Sequence, residues 1–567
     1  MHTDLIDDAI AELRESKDRW AGLPIARRIQ YLESIRARTV RVARPWVEAA
    51  VEAKGLSMDH PLAGEEWTSG PFSVMSIVDD LLVTLRRIAS GTSVLDGYKV
   101  RQNASDQVVV DVFPNTMDDL ILWSGVSAEV WMQPSVTPES LQETVGAFYE
   151  QDDPTGDVSV VLAAGNISSI AALDLVYAMF NEGKVVALKM NPVNDYTGGF
   201  FEEIFADLID DGYVRFIYGG IRIGSYLTSH PGVDSIHITG SARTYDAIVY
   251  GTGAEGAENK KADTPINTRP IGAELGGVGP VIVVPGNWSR RDITFQAEHI
   301  VSQKMHNSGH NCIAAQVLIL PEHWEQREAL LAEIRRVLED VDDRVVYYPE
   351  SEARCEGILA DIEDVETFGV THNRYLFPAV SADDGGHRVF AHEVFGPALA
   401  VVTLPSPSVG EYLDKAVQFA NESLYGTLGA NVIIHPRTQS RHADELENAL
   451  ADLEYGTIAV NLWTGAAYFI SQCAWGAFPG HTRQDIGSGV GVVHNTLMFN
   501  QTQKSIVRGP FAPHVRAMTK GEYHLSPKLI YFVTNKQAHR IGEYLIDYKA
   551  TGSKAKLAKL LVAALRA

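Results

Sequence analysis

The chain has 567 residues, a formal charge of −24, 45% hydrophobic and 21% charged residues, and three cysteines. That length is too great for one small core and implies about two to four compact units. The acidity excludes broad binding to a nucleic-acid backbone, which needs clustered Lys and Arg to displace counterions.

From the N-terminus, helical spacing of Ile29, Leu32, Ile35 and Val40 predicts two helices, 5–17 and 25–54, punctuated by Gly22-Leu23-Pro24. Pro45 is a candidate kink in the second. The start, Met1 to Asp8, shows no basic-then-apolar leader. Nor does any apolar run of about 18 residues follow, so no stable membrane insertion is expected. Between 97 and 158 short alternating runs such as Val108-Val109-Val110-Asp111-Val112, broken by Pro114, Pro134 and Pro138, predict hairpins and loops.

The pattern then becomes regular. Apolar strands at 158–163, 184–189, 214–217 and 235–239 alternate with helices that stop at Gly183 and Gly212. Such alternation predicts a parallel, doubly wound α/β sheet, whose ligands bind beyond the carboxyl ends of the strands. Asn166, Lys189 and Gly240-Ser241 follow three of those ends. Gly240 permits close backbone approach, and the helix opened by Ser241 favours an anionic group such as a pyrophosphate. The plainer reading of Lys189 and Ser241 is a solvated strand end and a helix cap. No Gly-x-Gly-x-x-Gly run follows any of these strands, so a nicotinamide cofactor would need another arrangement.

The polar stretch 251–269 is a candidate boundary or mobile loop. Beyond it, strands at 270–275, 280–284 and 315–320 and a helix at 291–305 leave Cys312 on a loop. A thiol there and a carboxylate at Glu274, each beside glycines, suit covalent chemistry on a carbonyl. The thiolate attacks, and the carboxylate activates the water that clears the acyl group. Taken alone, a single cysteine is more often an inert buried hydrophobe. In the tail, Leu529-Ile530-Tyr531-Phe532-Val533 is an apolar strand candidate whose edge would need a partner. Leu557, Leu560, Leu561 and Leu565 mark a basic amphipathic helix expected to pack on the body or on a sister subunit, the alternative being weak attachment to an anionic membrane surface. Three sparse thiols, Cys312, Cys355 and Cys473, fit a reduced, cytoplasmic protein.

Seven motifs occur in one order: Ala164-Gly165-Asn166, Val186-Ala187-Leu188-Lys189, Thr239-Gly240-Ser241, Glu274-Leu275-Gly276-Gly277, Asn307-Ser308-Gly309-His310-Asn311-Cys312, Glu393-Val394-Phe395-Gly396-Pro397 and Ala420-Asn421-Glu422-Ser423-Leu424-Tyr425-Gly426. Together, across roughly 158–500, this set resembles the aldehyde dehydrogenase superfamily. The resemblance implies a Rossmann-like doubly wound cofactor domain, an α/β catalytic domain and a C-terminal oligomerisation extension. The expected boundaries are 1–269, with an inserted region at about 105–157, then 270–465 and 466–567.

It further implies NAD- or NADP-dependent oxidation of an aldehyde to a carboxylic acid. In that chemistry Cys312 is the nucleophile of a thiohemiacetal and thioester, Asn166 an oxyanion donor together with the Cys312 amide, and Glu274 the hydrolytic base. Lys189 would contact the adenosine ribose, Gly240 and Ser241 the pyrophosphate, and Glu393 with Phe395 the nicotinamide ribose. No metal is implied, and a homodimer or homotetramer is.

Three departures stand out. Ala164-Gly165 replaces the usual Pro-Trp, removing an aromatic wall. Pro192 stands where many NAD-preferring members carry a glutamate, which leaves NADP admissible. His310 replaces a glutamine, and either acts on the Cys312 thiolate or is a packed polar residue. Trp123, Trp131 and Phe148 form either a cover over a substrate tunnel or core. The competing functions are a coenzyme A-acylating dehydrogenase or acyl-CoA reductase, members of which typically lack the glutamate, and a non-catalytic binding scaffold. The sequence leans towards an apolar, aromatic or medium-chain aldehyde without specifying one.

Overall fold

The computed structural model describes residues 3–383, 386–514 and 518–567. Two sheets organise an α/β fold. In the smaller, the strands Val158–Leu162, Val185–Lys189, Val214–Ile217, Ser235–Gly240 and Ile271–Leu275 pair in parallel, with Gly489–Val490 antiparallel at one edge. Order runs outward in both directions from Val158–Leu162. The topological switch therefore lies between that strand and Ser235–Gly240, where a ligand crevice is expected in a doubly wound sheet. The strands are apolar throughout because helices cover both faces of such a sheet. Val158, Val160, Val161 and Val185 to Leu188 are fully buried in one core with Ile6, Ile10 and Leu13 of the Thr3–Ala21 helix and with the Ile170–Phe180 helix.

The larger sheet has eleven strands. Its parallel centre comprises Thr457–Val460, Gly429–Ile433, Gly279–Val283, Ala315–Pro321, Ala398–Leu404 and Arg374–Phe377. Thr502–Arg508 runs parallel to Thr457–Val460 and antiparallel to Ser127–Met132, which extends through Val108–Phe113 to Lys99–Gln102. The hairpins expected between 97 and 158 therefore belong to this sheet and not to the cofactor-side one. The chain crosses between the sheets after Leu275, because Ile271–Leu275 still pairs with Ser235–Gly240. The expected boundary at 269/270 falls one strand too early by that pairing.

Other details also differ from expectation. The Ile25–Ala53 helix runs on through Pro45 and buries Trp46 beside it. The 251–269 stretch contains a helix, Gly253–Ala262. Leu529 to Val533 forms turns and no strand: Tyr531 and Phe532 are buried, with the Tyr531 hydroxyl 2.8 Å from His299 Nε2 and the Phe532 ring stacked 5.0 Å from Phe295. A short apolar run that seats two aromatics in a neighbouring core carries the same composition as a strand, so periodicity cannot separate them. The helices Ala538–Thr551 and Lys554–Ala564 then fold back on the same chain's N-terminal helices, Ala538 meeting Gly64 and Gly542 meeting Trp67. Among the described residues no helix is long and apolar enough to cross a membrane.

Candidate active site

One cavity of about 1200 Å³ is lined by Asn166, Lys189, Gly240, Ser241, Glu274, Cys312, Glu393 and Phe395 together. The first four stand at or just beyond the carboxyl ends of the smaller sheet's strands, and Glu274 lies within Ile271–Leu275. Cys312 is on the loop between the Arg290–Met305 helix and the Ala315–Pro321 strand, and Glu393 and Phe395 precede Ala398–Leu404. The crevice at the switch point thus runs on to the thiol. Ser241 caps the Ala242–Val249 helix, its hydroxyl accepting the Thr244 amide at 3.3 Å. Lys189 is buried, which lowers its pKa against the pull of Asp195.

The thiol's loop is tightly constrained. Asn307, Ser308 and Gly309 are successively left-handed, with φ of 53°, 58° and 76°, and a Cβ on Gly309 would lie 2.4 Å from the Gly396 carbonyl. Two non-glycine residues in that region cost roughly 1 kcal/mol or more each, so other bonds must hold them. The Asn307 amide donates to Glu65 Oε2 at 3.1 Å, and its side-chain nitrogen donates to the Asn166 and His310 carbonyls, each at 2.9 Å. Tyr347 donates to the Asn166 carbonyl at 2.9 Å and shares a 3.0 Å bond with Asn307 Oδ1. Glu65 is in turn gripped by Arg344 at 2.8 and 2.7 Å. Burial alone would raise the Glu65 carboxyl, yet the Arg344 guanidinium beside it brings it down to about 2, so it stays ionised. Asn166 Nδ2 donates to the His310 carbonyl at 3.1 Å, leaving its second hydrogen free of that bond.

Charge in the reacting corner is suppressed. Cys312 is half-buried with Sγ 3.8 Å from Asn311 Oδ1; burial, then the Glu393 and Glu274 carboxylates, push its thiol far up. Glu274 is buried and neither of its oxygens has a partner in hydrogen-bonding geometry. Burial and then Asp174 raise it well above the usual carboxyl range, with the Trp475 indole near enough only to weaken the shift. Glu393 is half-buried and pushed up to about 8 by burial, opposed by Lys304 and Arg354. A Cβ on Gly276 would sit 2.1 Å from Glu393 Oε2, so only glycine lets that carboxylate lie over the backbone.

His310 is a packed polar residue. Nε2 lies 3.0 Å from Ser351 Oγ, the ring sits 5.0 Å from Tyr347 and 5.8 Å from Phe395, and burial holds it neutral, down to about 3. Asn191 and Val193 press on Gly165, where a Cβ would meet Asn191 Oδ1 at 2.7 Å, which accounts for the missing aromatic wall. Trp131 is core, Trp123 packs on Phe113 and Phe148 covers Gly183; none of the three lines the cavity. Its aromatic walls instead include Trp463, Tyr468, Phe469 and Trp475, with Tyr348, Phe395 and Tyr425.

Several site residues escaped the sequence reading. Asp174, buried in the otherwise apolar Ile170–Phe180 helix, accepts the Thr239 hydroxyl at 2.7 Å and lies 3.6 Å from His237 Nε2. A lone acid in an apolar helix was a usable signal. Tyr347, Glu65 and Arg344 reach the site only through tertiary contacts and left none.

The Aldehyde dehydrogenase family model matches residues 127–476. A putative aldehyde dehydrogenase of Staphylococcus aureus (strain USA300) is 24% identical over 479 residues, covering 76% of this chain and 89% of the relative. The NAD-dependent aldehyde dehydrogenase of Sinorhizobium meliloti shares the fold at a TM-score of 0.58 and 18% identity, over 89% of this chain and 86% of that one. An NADP-dependent glyceraldehyde-3-phosphate dehydrogenase from Bacillus halodurans C-125, complexed with NADP, matches at a TM-score of 0.57 and 19% identity, over 89% and 91%. With a match across more than half its length, the chain belongs to the aldehyde dehydrogenase family. It is an oxidoreductase of that family.

Proposed function

We propose that the protein oxidises an aldehyde to a carboxylic acid with NAD or NADP, through a covalent intermediate on Cys312. The observation that carries this reading is the convergence of Cys312, Asn166 and Glu274 on one cavity that continues to Lys189 and Ser241. The Cys312 thiolate adds to the aldehyde carbon, and the carbonyl π pair moves to oxygen. Asn166, through its uncommitted Nδ2 hydrogen, and the Cys312 backbone amide stabilise the charge that develops there. A nicotinamide cofactor, when bound, supplies the hydride acceptor that turns this thiohemiacetal into a thioester. Glu274 then takes a proton from water as the water oxygen attacks the acyl carbon, and Cys312 leaves as thiolate. Burial, and then Asp174, raise the Glu274 carboxyl well above its ordinary range, which makes it a stronger base for that proton once ionised.

In this reading the six-stranded sheet's strand ends hold the nucleotide. Lys189 contacts the adenosine ribose, Gly240 and Ser241 the pyrophosphate, and Glu393 with Phe395 the nicotinamide ribose. Pro192 lines the cavity near Lys189 and offers no carboxylate against a 2′-phosphate, so both cofactors are admitted. Glu274 favours hydrolysis over transfer to coenzyme A. The purified protein should reduce NAD+ or NADP+ with an aldehyde in the absence of coenzyme A, and Cys312→Ala should abolish turnover while retaining cofactor binding. Turnover that requires coenzyme A, or that survives in Cys312→Ala, overturns the assignment.

A further inference from the structure

We infer that the substrate is an uncharged aldehyde carrying a ring or a bulky branched hydrocarbon group, and not one bearing a carboxylate or phosphate; this rests on Cys312 being the nucleophile. Cys312 packs against an apolar cluster that includes Ile313, Leu428, Trp463, Trp475 and Val493, all of which also line the cavity. Ile167 and Ile170 close a further side against Tyr468.

The rings are fixed in place. Tyr468 meets Phe469 at 5.7 Å and 87°, Trp475 at 5.5 Å and 82°, and His494 at 4.5 Å. Its hydroxyl is engaged 2.8 Å from Ser169 Oγ, and the Trp463 indole donates to the Ile313 carbonyl at 3.1 Å. With their polar tips occupied, these side chains offer apolar ring surface, and mutually perpendicular walls suit edge-to-face contact with another ring.

Charge points the same way. The cations lining the cavity are Lys189, Arg243, Arg269 and Arg354. Lys189 ends its strand, and Arg269 donates to the Val233 and His230 carbonyls. Arg243 pairs with Glu350, and Arg354 donates to the Val394 and Pro349 carbonyls. The buried cations Lys54 and Arg344 are committed to Glu66 and Glu65. The carboxyl groups lining the cavity around the thiol are Glu393, Glu274 and Asp174; of its three imidazoles, His306 and His494 are kept neutral by burial, His494 at about 4, and His392 is exposed at the rim. An anionic substituent beside the thiol would therefore lose its water among carboxyl groups and ring surface, with the lining guanidinium donors already engaged by Glu350 or backbone carbonyls.

The test has two arms. In the first, kcat/KM is measured for benzaldehyde and cyclohexanecarbaldehyde against succinic semialdehyde and glyceraldehyde 3-phosphate. A preference of at least about 100-fold for the uncharged pair is expected, and Tyr468→Ala should erode it mainly through KM. In the second, Cys312→Ala protein is titrated with benzyl alcohol and with succinate, read by tryptophan fluorescence; only benzyl alcohol should bind. Equal or better turnover of the anionic aldehydes, or binding of succinate alone or of neither ligand, overturns the inference. Selective binding of benzyl alcohol without turnover of any aldehyde would instead overturn the proposed reaction and leave the inference standing.

Discussion

Glu393 and Cys312 share a corner in which the Glu393 carboxylate raises the thiol's cost of ionising, and the consequence is measurable. Glu393 is pushed up to about 8, so below that pH it is neutral and exerts little hold on the thiol. Above it the carboxylate forms and pushes the Cys312 thiol further up, opposing thiolate formation. In Glu393→Gln that opposition is absent. Alkylation of Cys312 by iodoacetamide, followed by mass spectrometry, should therefore run faster than in the parent above about pH 8 and match it well below. Coincident profiles across the whole range would remove Glu393 from the thiol's surroundings. This coupling could not be read from the motifs, which place Glu393 and Cys312 far apart in sequence and say nothing of burial.

At the scale of elements, the nucleophile loop is held from outside itself. Tyr347 bonds both the Asn166 carbonyl and Asn307, and Lys54 lies 5.3 Å from its ring. Tyr347→Phe keeps the ring and loses the hydroxyl, at a cost of about 1 kcal/mol in stability. It should lower kcat by roughly tenfold while leaving the Kd for cofactor unchanged, since a mispositioned attack costs about that much or more; a shift confined to cofactor Kd would assign Tyr347 elsewhere. What the sequence made visible here follows a physical rule: apolar strands alternating with helices place Asn166, Lys189 and Ser241 at one sheet edge. The clamp of Tyr347, Glu65 and Arg344 was invisible because each residue arrives from a separate segment and no periodicity links them to Asn307. The 251–269 stretch was misjudged for the opposite reason, since the Gly253–Ala262 helix is polar nearly all round and carries no apolar stripe.

Across the whole molecule, the C-terminal segment folds onto its own chain. Gly542 admits the Trp67 ring and Gly64 admits Ala538 at approaches no larger residue would allow, while Leu545, Ile546 and Leu560 bury against Val47 and Val51. Tyr531 and Phe532 fill a core beside His299, which burial holds neutral at about 3. Deleting 526–567 should therefore lower the melting temperature by several degrees and expose the apolar face of the Ile25–Ala53 helix, with aggregation or changed light scattering following from that exposure. An unchanged melting temperature would mean the tail contributes nothing to the fold. An isolated apolar run such as Leu529 to Val533 cannot announce whether its partner is a neighbouring strand, a sister subunit or its own chain.

The claim on which the rest depends is that Cys312 carries an acyl group that Glu274 clears. Intact-protein mass spectrometry of Glu274→Gln, mixed with NAD+ or NADP+ and a competent aldehyde, addresses it directly. The predicted result is one burst of reduced cofactor and a protein heavier by the aldehyde less two hydrogens, the adduct mapping to Cys312 and absent from Cys312→Ala. A variant that turns over at the parent's steady-state rate, or that stops without any adduct on Cys312, would contradict the account.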